Sequence, residues 1–289
     1  MTPDPVVSAV IPTAGRRASL ARAVRSAVQQ ATPTEVIVVL DAPEHRASVR
    51  KMLEMWPHRL LLTDHLGPSG ARNAGVQSAS AGYVAFLDDD DEWLPGKNEL
   101  QLGALTSAGG DSFSVGLSEF VRASGVPDAS RPKRHPRSDE SMANYLVERR
   151  RLRYGRTYFQ TCSLLARTRD LVNTPWDEAL SVHEDWDLVV RLVARGLRPV
   201  IVDQPVVRVF QGSEGSISAR SDPSASLQWA IKHRQRLSGR AKADFLWIQI
   251  VAPALRQRRW DVLRASLPLF PSSPPHLAAV ARGLLELAR

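Results

Sequence analysis

Cysteine is nearly absent from this chain of 289 residues, in which Cys162 is the only one. No disulfide can form within the chain, and no cluster of thiolates can hold a metal ion. The first residues, Met1 to Pro5, lack the basic segment followed by an apolar stretch that marks a secretory signal. We therefore expect a reducing, cytoplasmic setting.

Long apolar runs are also lacking. Arg or Asp interrupts even the most apolar stretches, so no run reaches the roughly 18 to 20 residues that a membrane-spanning helix needs. Hydrophobic residues nonetheless make up 43% of the chain and charged residues 24%, a balance typical of folded proteins with a large core. We expect a globular protein without a membrane span, for which a peripheral membrane role stays open.

Acidic residues are scarce near the C-terminal end. From Arg220 onward, 12 lysines and arginines stand against four acidic residues, a surplus that equals the net charge of +8 of the whole chain. Such a segment favours contact with phosphates on nucleic acid, lipid head groups or a phosphorylated acceptor. It is equally typical of a solvated, arginine-rich surface.

Short β-branched runs alternate with segments of helical periodicity in the first 90 residues. This alternation predicts an α/β fold with a mainly parallel sheet flanked by helices. The predicted strands are 6–11, 36–40, 59–63 and 83–87, and the predicted helices are 20–28, 44–56 and 69–80. Ligands of such sheets bind at the carboxyl ends of the strands, which here are Pro12 with Thr13, Asp41 and the acidic run after Leu87.

The second part of the chain has a mixed pattern that becomes helical from about residue 221. A stretch rich in proline and arginine, Pro127 to Arg137, is predicted to be a mobile loop. The other predicted elements are helices at 97–107 and 185–195 and extended segments at 112–121, 160–166 and 199–209. We therefore divide the chain into a catalytic domain, residues 1–215, and a basic amphipathic helical extension, residues 216–289.

Five acidic residues follow the strand at 83–87 directly, from Asp88 to Glu92. Unpaired carboxylates at this density repel one another, so a positive group must compensate them. A divalent cation that bridges the oxygens of a bound diphosphate would do so, because hard cations prefer carboxylate ligands. The alternative is a solvent-exposed acidic turn.

Five segments occur in an order that points to one family. They are Val7–Thr13, Glu35–Asp41, the sequence Gly-Ala-Arg-Asn-Ala-Gly at 70–75, the sequence Phe-Leu-Asp-Asp-Asp-Asp-Glu-Trp-Leu-Pro-Gly-Lys at 86–97, and Trp176 to Arg191. Together they resemble the inverting glycosyltransferases of family 2, which have the Rossmann-like GT-A fold and use nucleotide-activated sugars. The resemblance covers about residues 6 to 210.

The resemblance implies a set of donor-binding residues. These are Pro12, Thr13, Asp41, Arg72, Asp88, Asp89 and Trp176. Asp41 would accept a hydrogen bond from the imide N–H of uracil or thymine, which implies a UDP-linked or dTDP-linked sugar; its alternative role is to cap the helix after Glu44. Arg72 would reach the base or the diphosphate, or else pair with the acidic run.

The resemblance also implies a metal site and a set of sugar contacts. Asp90 would be the direct ligand of Mn²⁺ or Mg²⁺, with Asp88 as a second ligand, while Asp88 or Asp89 would hold ribose or sugar hydroxyls. Three tryptophans are predicted either to stack on the sugar or to pack in the core. They are Trp93, Trp176 and Trp186.

The catalytic base is expected at Asp185, with the adjacent Glu184 as the alternative. A single displacement at the anomeric carbon needs one carboxylate to take the proton of the attacking hydroxyl, and such a displacement inverts the configuration. Neighbours on a helix point about 100° apart, so only one of the two carboxylates can face the sugar. Either could instead serve as a favourable charge at a helix N-terminus.

Two departures from the family pattern stand out. Many relatives have a histidine near residues 209–213 that contacts the metal or the diphosphate, whereas this chain has Phe210 and Gln211. An Asp-Asp pair usual at the second strand is Leu40-Asp41 here. The first departure predicts weaker metal affinity, and the second leaves the ribose contact unassigned.

The predicted function is a metal-dependent hexosyltransferase of polysaccharide biosynthesis, acting on a hydroxyl of a glycan, a lipid-linked saccharide or a secondary metabolite. Rival interpretations are a nucleotidyltransferase, a nucleic-acid-binding protein and a non-catalytic nucleotide-sugar binder. In the extension, apolar residues such as Trp229, Phe245 and Trp260 are interleaved with basic ones. These helices are predicted either to lie on the anionic inner face of a membrane, or to pack on the catalytic domain or on a second subunit as a homodimer.

Overall fold

The computed structural model describes residues 4–15, 17–121, 127–151, 157, 159–211 and 222–287. The chain forms two compact units. The first consists of residues 1–131, 159–178 and 191–213, and the second of residues 132–158, 179–190 and 214–289. The second unit thus contains the predicted extension together with two segments that the sequence boundary assigned to the catalytic domain.

The described strands and helices follow the sequence pattern closely. The strands are β1 Val7–Thr13, β2 Thr34–Leu40, β3 Arg59–Leu62, β4 Tyr83–Phe86, β5 Glu92–Trp93, β6 Ser112–Val121, β7 Pro127–Arg131, β8 Leu164–Arg167 and β9 Arg198–Phe210. The helices are α1 Arg17–Val28, α2 Arg46–Leu53, α3 Gly67–Ser78, α4 Lys97–Ala108, α5 Met142–Val147, α6 Thr168–Val172, α7 Glu184–Ala194, α8 Pro223–His233, α9 Gly239–Phe245, α10 Ala252–Arg256, α11 Trp260–Ser266 and α12 Leu277–Leu287.

The first unit is built on one mixed sheet. Its strand order is β3-β2-β1-β4-β8-β6-β9-β5, with β7 paired to β6. Strands β1 to β4 are mutually parallel, and β6 is parallel to β9, whereas β8 runs antiparallel to both β4 and β6. The predicted α/β architecture with a mainly parallel sheet is confirmed.

The centre of this sheet is buried on both faces, as its continuous apolar strands predict. Val10 and Ile11 of β1 are fully buried, and so is Leu20 of α1. Helix α3 packs so closely on β1 that a Cβ added to Gly75 would lie 2.3 Å from Val10 Cγ1. A glycine is therefore required at this point of the Ala-Arg-Asn-Ala-Gly segment.

Two sequence predictions are wrong in part. Residues 127–131 of the predicted mobile loop form β7, an edge strand that pairs antiparallel with β6. Its proline is the first residue of the strand, where a missing N–H costs little. Of the strand predicted at 160–166, residues 161–163 form a 3₁₀ turn before β8 begins.

The second unit is helical in its C-terminal part and has its own core. Trp229, Leu237, Phe245 and Ile248 are all buried. Trp229 and Phe245 were among the candidates for a membrane surface, and within this unit they pack inward. The carboxylate of Asp244 accepts hydrogen bonds from the backbone N–H groups of Arg149 (2.8 Å) and His276 (2.7 Å), which ties α9 to the segments after α5 and before α12.

None of the helices in the part of the chain that the structure describes is long and apolar enough to cross a membrane.

Candidate active site

The carboxyl ends of β1 and β4 are joined by a buried hydrogen bond. Thr13 Oγ1 donates to Asp89 Oδ2 at 2.5 Å, and Thr13 in turn accepts from the N–H of Gly15 at 3.0 Å. Asp89 is only 1% exposed. Asp88 and Asp89 were the alternatives for binding the ribose or sugar hydroxyls. Asp89 holds the acidic turn against β1, and Asp88 is the more accessible of the two carboxylates.

Asp88 forms an ion pair with Arg72 of α3. The distance from Arg72 Nη2 to Asp88 Oδ1 is 2.8 Å, and the guanidinium lies 4.7 Å from the ring centre of Trp176. Trp176 is 3% exposed and meets Phe86 edge to face, with ring centres 5.3 Å apart. The tryptophan thus forms the packed floor under Arg72, while Arg72 compensates part of the acidic charge as predicted for its alternative role.

Asp91 is turned into the protein. Its Oδ1 accepts the N–H of Phe210 at 3.1 Å, and its side chain is hydrogen-bonded to Cys162. Burial, with the neighbouring charges of Asp88 and Asp90, raises the pKa of Asp91 well above its ordinary value. Burial likewise raises the pKa of the Cys162 thiol.

The donor atoms decide which of these groups suit a divalent cation. Ligand atoms of Asp88, Asp91 and Cys162 lie within 4.8 Å of one another. Burial disfavours the charged forms of Asp91 and Cys162, which makes them poorer ligands for a hard cation. Asp88 and Asp90 are partly exposed carboxylates, the ligand type that hard divalent cations prefer.

Arg22 of α1 also contacts the acidic turn. Its Nη2 donates to the backbone carbonyl of Asp90 at 2.5 Å, and its guanidinium lies 3.9 Å from the ring centre of Phe210. None of the sequence motifs included Arg22. The presence of Phe210 where many relatives have a histidine could have indicated such a contact, because an aromatic ring binds a cationic side chain over its face.

Asp41 accepts three hydrogen bonds from the segment that follows β3. Oδ1 accepts from Thr63 Oγ1 (2.6 Å) and from the N–H of Leu66 (2.8 Å), and Oδ2 accepts from the N–H of Gly67 (2.7 Å). Asp41 therefore holds the start of α3 rather than the helix after Glu44, the alternative that the sequence suggested. A carboxylate has about four acceptor positions, and the described residues use three of those of Asp41.

The segment predicted to carry the base begins α7 in the second unit. Glu184 and Asp185 are partly exposed, and Asp185 Oδ1 accepts the N–H of Trp186 at 2.8 Å. Trp186 is 6% exposed, and its ring stacks on His183 with centres 4.6 Å apart. Its position favours core packing over the predicted stacking on a sugar, and the same holds for Trp93, which is 2% exposed.

Two anchors fix the residues on either side of Asp185 to α8. His183 Nε2 lies 2.9 Å from Ser226 Oγ, and burial lowers the pKa of His183 to about 3, so that its ring is neutral at physiological pH. Asp187 is fully buried and lies 2.6 Å from Lys232 Nζ and 2.8 Å from His233 Nε2. The first turn of α7 is thus held firmly within its unit.

A family model described as glycosyl transferase family 2 matches residues 8–173. The chain belongs to this family. The match includes Thr13, Asp41, Arg72 and the acidic turn, and it ends before Glu184 and Asp185. The base assignment therefore rests on the resemblance of the later segment alone.

Several relatives have curated names that describe bacterial glycosyltransferases. One is the amylovoran biosynthesis glycosyltransferase AmsB of Erwinia amylovora, 28% identical over 61% of this chain and 58% of the relative. Another is the UDP-Glc:α-D-GlcNAc-diphosphoundecaprenol β-1,3-glucosyltransferase WfgD of Escherichia coli, 29% identical over 43% of this chain and 49% of the relative. The chain spans about half the length of these proteins.

A solved structure extends the likeness to nearly the whole fold. The S. aureus TarS fragment 1–349, in complex with UDP-GlcNAc, superposes with a TM-score of 0.64 over 97% of this chain and 89% of that one, at 15% identity. At this identity the likeness concerns the fold, and it confirms the GT-A architecture expected for a family 2 chain.

Proposed function

We propose that this family 2 chain is an inverting hexosyltransferase that moves a sugar from a nucleotide diphosphate sugar to an acceptor hydroxyl. The observation that carries the proposal is the turn of Asp88 to Asp90, held by Arg72 and Thr13 at the edge where the parallel strands end. This edge is where α/β sheets bind ligands. A cationic side chain and accessible carboxylates at one turn suit a diphosphate with its counterion.

The identity of the nucleobase in the sugar donor is inferred from Asp41. Beside the three acceptor positions that the described residues use, the carboxylate has about one more, which a single imide N–H of uracil or thymine would fill. This supports UDP-linked donors, with dTDP-linked donors as the second choice. Pro12 and Thr13 at the end of β1 complete the donor-binding edge.

Asp90 and Asp88 would hold the cation, either Mn²⁺ or Mg²⁺. When bound, such a cation neutralises charge on the leaving diphosphate. Arg72, which pairs with Asp88 in the structure, would turn toward the diphosphate as the cation takes over the carboxylate. The forked guanidinium suits a phosphate oxygen pair.

Asp185 would take the proton of the acceptor hydroxyl as its oxygen attacks the anomeric carbon, while the bond to the diphosphate breaks on the opposite face. Direct attack of this kind inverts the configuration. Asp185 is favoured over Glu184 by the family pattern, and the anchors at His183 and Asp187 would keep its backbone in place.

The acceptor would be a growing glycan or a lipid-linked saccharide of polysaccharide biosynthesis. The E. coli relative is named for a diphosphoundecaprenol-linked acceptor, which supports a site of action at the cytoplasmic face of a membrane. A homodimer through the C-terminal helices is the other assembly that the sequence suggested.

The decisive experiment offers a panel of UDP-, dTDP- and GDP-sugars, with Mn²⁺ or with EDTA, and follows release of free nucleotide diphosphate. We expect UDP to be released from a UDP-sugar in the presence of Mn²⁺ and not in the presence of EDTA. A nucleotidyltransferase would instead release pyrophosphate from a nucleoside triphosphate and a sugar phosphate. A parallel assay therefore offers a nucleoside triphosphate with a sugar phosphate. Formation of pyrophosphate there, with no nucleoside diphosphate released from any nucleotide sugar, would overturn the proposal.

A further inference from the structure

Exposed apolar side chains are concentrated near the C-terminal end of the second unit. Of the eleven large hydrophobic residues that are exposed in the described part of the chain, six lie between residues 260 and 285. They are Trp260, Leu267, Phe270, Leu277, Leu284 and Leu285. The sequence pattern selected Trp260, Leu277 and Leu284 as apolar positions of the extension, but it did not show that they are exposed.

Helix α11 and the residue that follows it, Leu267, present one mixed stripe to solvent. Trp260 is 59% exposed and Leu267 is 65% exposed, and Arg264 lies between them on the same face, since residues four and seven positions apart lie one above another on a helix. Val262 and Ser266, on the opposite face, are buried. The stripe therefore combines an indole, a guanidinium and a leucine that are all largely exposed to solvent.

Helix α12 exposes a second stripe. Leu277 is 87% exposed and Leu284 is 54% exposed, seven positions apart and so on one face. Ala279 and Gly283 are buried, and Gly283 packs against the indole of Trp247, where an added Cβ would lie 2.1 Å from Nε1. The orientation of α12 is thus fixed by its small residues, which leaves its leucines outside.

The acidic side chains of this segment are all engaged internally. Asp222 caps α8, and Asp244 is buried. Asp261 pairs with Arg259 at 2.7 Å, and Glu286 pairs with Arg256 at 2.8 Å. Each carboxylate of the described residues 222–287 is therefore buried, caps a helix or takes part in an ion pair.

Two arginines near the exposed stripes lack such partners. Arg258 and Arg264 are exposed and form no ion pair among the described residues. A symmetric contact between two copies would bring these cations toward cations, and the exposed carboxylate of this segment, Asp261, is already paired with Arg259. An anionic lipid surface supplies both the negative charge and the apolar medium that the leucines and Trp260 require.

We propose that α11 and α12, together with Phe270 between them, form a surface that docks on an anionic lipid bilayer. The indole of Trp260 and the side chains of Leu267 and Phe270 enter the head-group region, while Arg258 and Arg264 bind lipid phosphates. The proposal deepens the proposed function, on which it rests only for the idea that a lipid-linked acceptor is presented at this surface.

The test is cosedimentation of the full chain with vesicles of phosphatidylcholine, alone or mixed with phosphatidylglycerol. We expect retention by the anionic vesicles at low ionic strength, with little retention by neutral ones and a steep loss with added salt. The double variant Arg258→Gln/Arg264→Gln should weaken partitioning by roughly 25-fold, about fivefold for each cation. The double variant Trp260→Ser/Leu267→Ser should weaken it roughly tenfold.

Matched controls come from exposed residues of the first unit. Arg46→Gln/Arg50→Gln removes the same charge, and Met55→Ser removes an apolar side chain that is 77% exposed. Both should leave partitioning within twofold. Thermal unfolding of every variant shows whether the fold is kept.

Two results would overturn the proposal. One is wild-type protein that stays in the supernatant with anionic vesicles at low salt. The other is a Trp260→Ser/Leu267→Ser variant that loses self-association in sedimentation velocity while it keeps vesicle binding, since the surface would then join two copies of the chain. Nucleotide release from the donor without vesicles is measured separately, so a failed transferase assay with intact vesicle binding would count against the proposed function alone.

Discussion

The guanidinium of Arg22 lies 3.9 Å above the ring of Phe210, and its Nη2 donates to the carbonyl oxygen of Asp90. The N–H of Phe210 in turn binds the carboxylate of Asp91. Helix α1 and the end of β9 thus hold the acidic turn together. The contact uses the main chain of Asp90, so its carboxylate is not consumed by Arg22.

Replacing Arg22 should therefore loosen the cation site without removing a ligand. We expect Arg22→Gln to weaken Mn²⁺ binding about tenfold, the scale of one hydrogen bond to a charged group. The KM for the donor should rise while kcat changes little. Arg25→Gln, an exposed arginine of the same helix, is the control. Manganese affinity measured by electron paramagnetic resonance checks the prediction, and equal values for both variants would contradict it.

Asp90→Ala should abolish tight, metal-dependent binding of UDP, because the variant lacks the expected direct ligand. Calorimetry with and without Mn²⁺ measures the effect. Glu92→Gln, two residues further on in β5, removes a charge from the same acidic run and should retain the Mn²⁺ dependence. Unchanged affinity and unchanged dependence in Asp90→Ala would make the acidic run a structural feature.

Asp185→Asn should keep donor binding within a few-fold and lower transfer by roughly 10² or more, the usual effect of losing a positioned base. Glu184→Gln is the matched neighbour and should remain active. Donor affinity and transfer rate are measured on both proteins. An inactive Glu184→Gln beside an active Asp185→Asn would move the base by one residue.

Most of the fold could be predicted because strands and helices alternate regularly in the parallel part of the sheet. β1, β2 and β4 are short buried runs, and buried strands have nearly continuous apolar sequences. The strand β7 was missed because Pro127 and the arginines around it suggested a loop. An edge strand gains its order from one neighbour, here β6, which local sequence does not reveal.

The sequence predicted which residues form the candidate site better than it predicted which side chains they contact. The acidic turn and Arg72 were found by motif, and the structure joins them. That Asp89 binds Thr13 while Asp91 turns inward could not be read from five consecutive acids, because burial depends on how β4 and β9 meet the turn. The exposed leucines of α12 were likewise hidden, since periodicity marks an apolar stripe without showing what covers it.

Lys97, at the start of α4, shows a further consequence of burial that stability measurements can test. Its side chain is fully buried, with Nζ 2.6 Å from Gln101 Oε1 and 4.3 Å from the ring centre of Trp93. Burial lowers the pKa of Lys97 from 10.5 to about 7. Between these values the unfolded chain binds a proton that the folded chain does not, so the free energy of unfolding should rise with pH by up to about 1.4 kcal/mol per unit.

Lys97→Met should abolish this rise and make the protein relatively more stable near pH 6, whereas Lys51→Met, at an exposed position, should keep it. Urea unfolding of the three proteins from pH 6 to pH 9 provides the comparison, and parallel curves for wild type and Lys97→Met would show that the buried amine stays charged.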